Sequence, residues 1–228
     1  DDADLRPELL SIQGLEEEIK DRFAVELSFG TAGLRGVLGA GTNRMNVYMV
    51  RKATQGLADY LNAHVRNANV AIAYDSRIKS DVFAKETAAV LAANGIHAHI
   101  YPWLSPVPTL SFATRYLKCD AGVCVTASHN PAKYNGYKVY GSDGCQITSE
   151  MAKEVSDAIA KTDVFEGVKR MSFEDGVKEG RISYIKDEVI NAFLQEVLNQ
   201  SVIPEPCKGL KVVYTPLNGS GRVCVTRI

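Results

Sequence analysis

The chain has 228 residues, 46% of them hydrophobic and 23% charged, with a formal net charge of -1 at pH 7. This is the composition of an ordinary globular protein, and the near-neutral charge gives no electrostatic case for nucleic acid or an anionic membrane as partner. No stretch approaches the roughly 20 apolar residues of a membrane span, and the start Asp1-Asp2-Ala3-Asp4 is the opposite of a signal peptide's basic head. The five scattered cysteines, Cys119, Cys124, Cys145, Cys207 and Cys224, lack the close pairs of a zinc site, so a reduced, cytoplasmic setting is expected.

In chain order, Pro7 to Leu27 places apolar residues among charges at helical spacing and predicts one or two amphipathic helices. Leu27 to Asn46 is rich in glycine, with Arg35 in its midst, and reads as a loop in which backbone approaches backbone or ligand closely. A helix is predicted from Val47 to Val65 and a strand from Asn69 to Tyr74, which closes on Asp75-Ser76-Arg77. Lys79-Ser80-Asp81 is expected to cap the next helix, which runs to Ala93 and stops at Asn94-Gly95. Ile96 to Tyr101 reads as a strand on which His97 and His99 share a face, hydrogen-bonded or facing solvent in preference to holding a metal. A proline-punctuated loop leads to a helix at Thr109 to Tyr116, then to an apolar strand at Ala121 to Val125. Alternating strand and helix predicts an α/β fold, a three-layer αβα domain with a mixed, mostly parallel sheet. Right-handed crossovers bring the strand ends at Asp75 and Ser128 to one edge.

Lys138-Val139-Tyr140 is expected to add an antiparallel strand, and Thr148-Ser149-Glu150 to open a helix reaching about Ala160. Lys161 to Lys178 reads as a polar excursion, Asp187 to Leu198 as a last amphipathic helix, Ser201 to Pro206 as a linker, and Leu210 to Gly221 as a strand with a glycine-rich turn.

The chemistry concentrates in Thr126-Ala127-Ser128-His129-Asn130-Pro131 and the residues up to Lys138. The loop emerges at the carboxyl end of a buried strand, where open α/β sheets place ligands. It offers a hydroxyl nucleophile in Ser128, a cation in Lys138, and donors in Thr126, His129 and Asn130, with acids scarce, so its natural guest is an anion. Side chains adjacent in sequence tend to diverge in an extended loop, which argues against a Ser128–His129 relay, and no Gly-x-Ser-x-Gly elbow is present.

Thr126-Ala127-Ser128-His129-Asn130-Pro131 followed by Tyr134-Asn135-Gly136-Tyr137-Lys138 resembles the phosphoserine loop of the α-D-phosphohexomutases, the family of phosphoglucomutases and phosphomannomutases. The glycine-rich segment around Arg35 resembles the same family's amino-terminal signature, and its Gly39-Ala40-Gly41-Thr42-Asn43-Arg44-Met45-Asn46 run is most like the branch that includes phosphopentomutases. The resemblance implies the following roles. Ser128 carries and donates the phosphoryl group and gives one magnesium ligand. Lys138 and Arg35 offset its charge, and His129 acts beside it in the catalytic set. Thr126, Asn130 and Arg77 serve phosphate binding, Arg77 also as a support of the loop. It implies interconversion of glucose 1- and 6-phosphates through a hexose bisphosphate, with mannose and pentose phosphates left open as sugars. The family's Asp-x-Asp-x-Asp-Arg magnesium loop and later sugar- and phosphate-binding motifs are absent from the sequence. The expectation is therefore an amino-terminal fragment, inactive or impaired alone, with residues 1–203 as the first domain and 204–228 as a linker and the start of a second. The competing readings are a non-catalytic phosphosugar-binding domain and, more weakly, a serine hydrolase.

Overall fold

The computed structural model describes residues 3, 5–202 and 209–228, so the expected boundary at 203/204, most of the linker and Cys207 lie outside the described residues. Helices α1 (Leu5–Ser11) and α2 (Glu16–Phe23) precede β1 (Leu34–Val37), α3 (Val47–His64), β2 (Asn69–Tyr74), α4 (Ser80–Ala93), β3 (His97–Ile100) and α5 (Val107–Tyr116). There follow β4 (Ala121–Val125), β5 (Tyr134–Gly141), α6 (Ser149–Lys161), α7 (Phe173–Lys178), β6 (Ile182–Tyr184), α8 (Asp187–Asn199) and α9 (Arg222–Arg227). Among the described residues no helix is long and apolar enough to cross a membrane.

The six strands form one sheet in the order β1-β5-β4-β2-β3-β6. The ladders β4–β2, β2–β3 and β3–β6 are parallel, while β5 runs antiparallel to both β4 and β1. The expected three-layer, mostly parallel αβα architecture is therefore what the chain adopts. Because both faces are covered, the inner strands read as continuous apolar runs and alternate in the core they feed. Val70, Ile72, Val123 and Val125 pack with Leu57, Phe83 and Val155 of α3, α4 and α6. Ala71, Ala73, Cys124 and Tyr140 pack on the other side with Leu110, Ile190 and Cys224 of α5, α8 and α9.

The differences from expectation have local causes. Strand β1 lies in what reads as a glycine-rich loop, and it forms because β5 offers it a partner a hundred residues later, Leu34 opposite Tyr137. Gly33 makes this approach possible: its φ is +77°, and a Cβ there would sit 1.9 Å from the Tyr137 carbonyl oxygen. The supposed polar excursion contains α7, capped by the Ser172 hydroxyl, and leads to the edge strand β6. Ser80 does not cap α4; Lys79 stands at the N-cap without a side-chain cap bond, and the Ser80 hydroxyl donates to Asp75 Oδ1 at 2.8 Å. Leu210–Thr215 is no strand, because it finds no edge to pair with, and Val213 is 99% exposed. The chain beyond it docks instead through α9, whose Cys224 is buried against the α8 face.

His97 and His99 meet a single partner, with the Ser183 hydroxyl 2.8 Å from His97 Nε2 and 3.0 Å from His99 Nδ1. Burial, helped by the neighbouring His97, lowers the pKa of His99 from 6.5 to about 4. Between those values the unfolded chain binds more protons than the native one, so stability is full above about 6.5 and is lost as pH falls towards about 4. Allowing for partial exposure, the loss is on the order of 1–2 kcal/mol. Unfolding free energies from urea titrations at pH 7 and 4.5 should differ by at least that amount in the native sequence and by clearly less in His99→Gln; equal pH sensitivity would remove His99 as the cause.

Candidate active site

The serine loop follows β4 and is held from the turn after β2. Asp75 Oδ2 accepts from Thr126 Oγ1 at 2.6 Å, and Thr126 Oγ1 in turn accepts the Ser128 N–H at 2.9 Å. Asp75 Oδ1 takes the Ser80 hydroxyl and, at 3.0 Å, the Arg77 N–H. The Arg77 guanidinium donates to the carbonyls of Ser128 (2.7 Å), Asn130 (2.6 Å), Pro131 (3.1 Å) and Tyr134 (3.0 Å). Its Nε is buried without a hydrogen bond, 3.5 Å from Asp75 Oδ2. Each such charge-assisted bond contributes roughly 1.5–3 kcal/mol, enough in sum to hold a strained loop. Ser128 is that strain: its φ of +58° lies in the left-handed region, at a cost of about 1–2 kcal/mol for a residue with a Cβ.

This backbone also overturns the expectation that Ser128 and His129 diverge. The left-handed turn brings Ser128 Oγ to 3.3 Å from His129 Nδ1, and both residues are exposed. No carboxylate completes a relay, since among the described residues His129 has no second hydrogen-bond partner.

The cations sit on the sheet beside the loop. Lys138 lies opposite Cys124, Arg35 opposite Gly136, and the Thr126 N–H donates to the Gly136 carbonyl at 3.0 Å. By the two-residue period of a strand, Arg35, Gly136, Lys138, Cys124 and Thr126 share the face that carries α5, α8 and α9. The Arg35 stem crosses over Gly136, where an added Cβ would lie 3.1 Å from Arg35 Cγ and 2.6 Å from the Thr126 carbonyl oxygen. Lys138 is only 8% exposed, and among the described residues neither it nor Arg35 makes a hydrogen bond or an ion pair. Burial, then the positive charge of Arg35, lowers the Lys138 pKa below its ordinary value, with Cys124 and Asp75 opposing. A shielded cation depressed by a second cation is an environment that an anion would relieve.

A cleft of about 1290 Å³ is lined by Ser128, His129 and Asn130 together with the turn from Pro216 to Ser220 and the first residues of α9, Arg222 and Val223. Thr126 and Arg77 line it, and the hydrogen bonds that their side chains make run to Asp75 and to the backbone of the serine loop. Arg35 and Lys138 do not line this cleft. Asp75 and Asn135 were missed by sequence reasoning as members of the site. Asn135 is fully buried, donates to the Ile78 carbonyl and Ser80 Oγ at 2.9 and 3.0 Å, and accepts the Gly136 N–H at 2.7 Å. An asparagine before a glycine in the motif, and an aspartate ending a strand, were the signals available for them.

Among the described residues no group of three or more His, Cys, Asp or Glu side chains could hold a metal. Asp75, the acid beside the loop, is already committed to Thr126, Ser80 and Arg77. The residues present therefore do not compose a magnesium site; Ser128 offers one oxygen.

Comparison with known proteins bears on this arrangement. A family model described as phosphoglucomutase/phosphomannomutase, alpha/beta/alpha domain I, matches residues 26–165. A phosphoglucomutase of Staphylococcus saprophyticus is 40% identical over 214 residues, a match that covers 93% of this chain and 38% of that protein. A phosphoribomutase of Saccharomyces cerevisiae is 38% identical over 222 residues, covering 90% of this chain and 35% of its relative. The chain thus spans well under half the length of these relatives. Among solved structures, a phosphoglucomutase/phosphomannomutase family protein from Burkholderia thailandensis shares the fold with a TM-score of 0.59 at 21% identity, over 78% of this chain and 36% of that one.

Proposed function

Because this chain belongs to the phosphoglucomutase/phosphomannomutase family, we propose that it carries the phosphoryl-transferring serine of a sugar-phosphate mutase, and that Ser128 is that serine. Glucose 1- and 6-phosphates are the substrate pair we assign, with pentose phosphates as the competing class, since relatives are named both phosphoglucomutase and phosphoribomutase. In the first half-reaction the Ser128 Oγ–P bond breaks as a sugar hydroxyl oxygen bonds to phosphorus, and the proton that this hydroxyl gives up ends on Ser128 Oγ. The products are a sugar bisphosphate and the free serine. In the second, the other phosphoryl group of the bisphosphate returns to Ser128 Oγ, and the proton goes to the sugar oxygen that it leaves.

Phosphoryl transfer is governed by positioning and by neutralisation of charge on the equatorial oxygens. Arg77, Asp75 and Thr126 position Ser128, Lys138 and Arg35 supply positive charge, and His129 and Asn130 hydrogen-bond the phosphoryl group. The observation that carries this reading is Lys138, a nearly buried cation without an ion pair among the described residues, paired on one face with Arg35 beside an exposed, conformationally fixed serine. Residues 1–203 form the proposed first domain and 204–228 the start of a second, in a cytoplasmic protein whose described cysteines are all free. The sugar contacts and the carboxylates for magnesium are assigned to the length of the relatives that this chain does not span.

Mass spectrometry of the complete protein after incubation with glucose 1,6-bisphosphate should find one phosphoryl group, mapping to Ser128. An unmodified Ser128, or its labelling by a fluorophosphonate probe in place of phosphate, would overturn the assignment.

A further inference from the structure

The Ser128 N–H ends a hydrogen-bond chain that runs through buried groups. Thr126 Oγ1 accepts it at 2.9 Å and donates to Asp75 Oδ2 at 2.6 Å. Asp75 Oδ1 accepts the Ser80 hydroxyl at 2.8 Å, and Ser80 Oγ accepts from Asn135 Nδ2 at 3.0 Å. The Gly136 N–H, donating to Asn135 Oδ1 at 2.7 Å, fixes which way that amide faces. The direction of every bond follows. Each hydroxyl accepts an N–H and has its one proton left for the carboxylate. Ser80 and Asn135 are 0% exposed and Thr126 3%, so water competes little for these bonds. The chain also joins the two ends of the serine loop. Thr126 and Ser128 follow β4, whereas Asn135 stands on β5, the strand that carries Lys138. The Thr126 N–H bond to the Gly136 carbonyl ties these ends through the backbone, and Ser80, the first residue of α4, ties them through side chains.

We propose that Ser80 is a positioning residue for phosphoryl transfer: anchored by Asn135, it fixes the Asp75 carboxylate that holds the Thr126 hydroxyl and, through it, the Ser128 N–H. The backbone of Ser128 is held from both sides, its carbonyl by Arg77 and its N–H by this chain. Its φ of +58° is a conformation that a residue with a Cβ leaves when its restraints loosen. A hydroxyl nucleophile displaced by about 1 Å from its in-line position can lose roughly 10² in rate, so a bond remote from the phosphoryl group still acts on transfer. The assignment rests on the proposed role of Ser128.

The test uses the complete protein with glucose 1-phosphate and glucose 1,6-bisphosphate. Ser80→Ala leaves each neighbour another partner, since Asn135 Nδ2 still donates to the Ile78 carbonyl and Asp75 Oδ1 still accepts the Arg77 N–H. Measured well below the melting temperature, kcat should fall about 10- to 100-fold while KM stays within about threefold. The single-turnover rate at which Ser128 takes phosphate from the bisphosphate should fall by the same factor. Ser80→Cys, whose thiol donates weakly, should lie between the alanine variant and the native protein. Native kcat in a folded alanine variant, or in the cysteine variant should alanine not fold, would make Ser80 a structural residue and leave the role of Ser128 standing. A native protein whose Ser128 never takes up phosphate would overturn both.

Discussion

Ser128→Ala should abolish glucose 1-phosphate turnover by the complete protein, a fall of roughly 10⁴-fold or more, as when a covalent nucleophile is removed. The loss should come without unfolding. Ser128 is exposed, its N–H bond to Thr126 Oγ1 and its carbonyl bond to Arg77 belong to the backbone, and alanine tolerates a φ of +58° no worse than serine. The melting temperature should therefore stay within the shift expected of about 0.5 kcal/mol. Ser128→Gly should be equally inactive yet more stable by about 0.5–1 kcal/mol, because glycine occupies the left-handed region without the Cβ penalty. Activity and stability would then move in opposite directions at one position, the pattern of a residue strained for function. Near-normal turnover in either variant, measured with the bisphosphate supplied, would refute the role of Ser128.

Much of the frame that presents Ser128 was legible in sequence, because β2 and β4 are buried on both faces and so read as apolar runs with sharp ends. They were placed correctly to the residue. What escaped depends on distant partners. Leu34–Val37 carries too many glycines to look like a strand, and it becomes one only when β5 pairs with it. Leu210–Thr215 carries a strand-like apolar pattern but meets no ladder, so it stays unpaired. At the site, residue types announced an anion, and the division of labour was legible in part. Arg77 was expected both to serve phosphate binding and to support the loop, and the carbonyls gathered by the turns between Ser128 and Tyr134 show where its donors go. The contact of Ser128 with His129 was unreadable for a similar reason, since it follows from one backbone angle.

Lys138→Met offers the sharpest contrast between the functional and the structural reading of the cation site. A lysine that folded the domain would be paired, yet this one is 8% exposed with no ion pair among the described residues. Its pKa is lowered in the native state by burial and then by Arg35, so the charged ammonium opposes folding at neutral pH. The sign follows from linkage. Between the lowered native value and the ordinary 10.5 the unfolded chain holds more protons, so native stability rises with pH across that window. Methionine keeps the stem and removes the charge, and should leave stability unchanged or raise it by up to about 1 kcal/mol at pH 7, a gain limited by the solvent that still reaches the ammonium. The gap between the two proteins should narrow as pH approaches 10.5. Turnover should meanwhile fall by about 10²- to 10³-fold, the usual cost of losing one electrostatic donor to a transferring group. Phosphorylation of Ser128 should reverse the stability order, because the phosphoryl charge turns the buried ammonium from a liability into a partner that methionine cannot replace. Thermal melts of the two proteins, each with and without phosphate on Ser128, read all of this at once. A Lys138→Met protein that fails to fold would make the lysine a structural residue and withdraw it from the site.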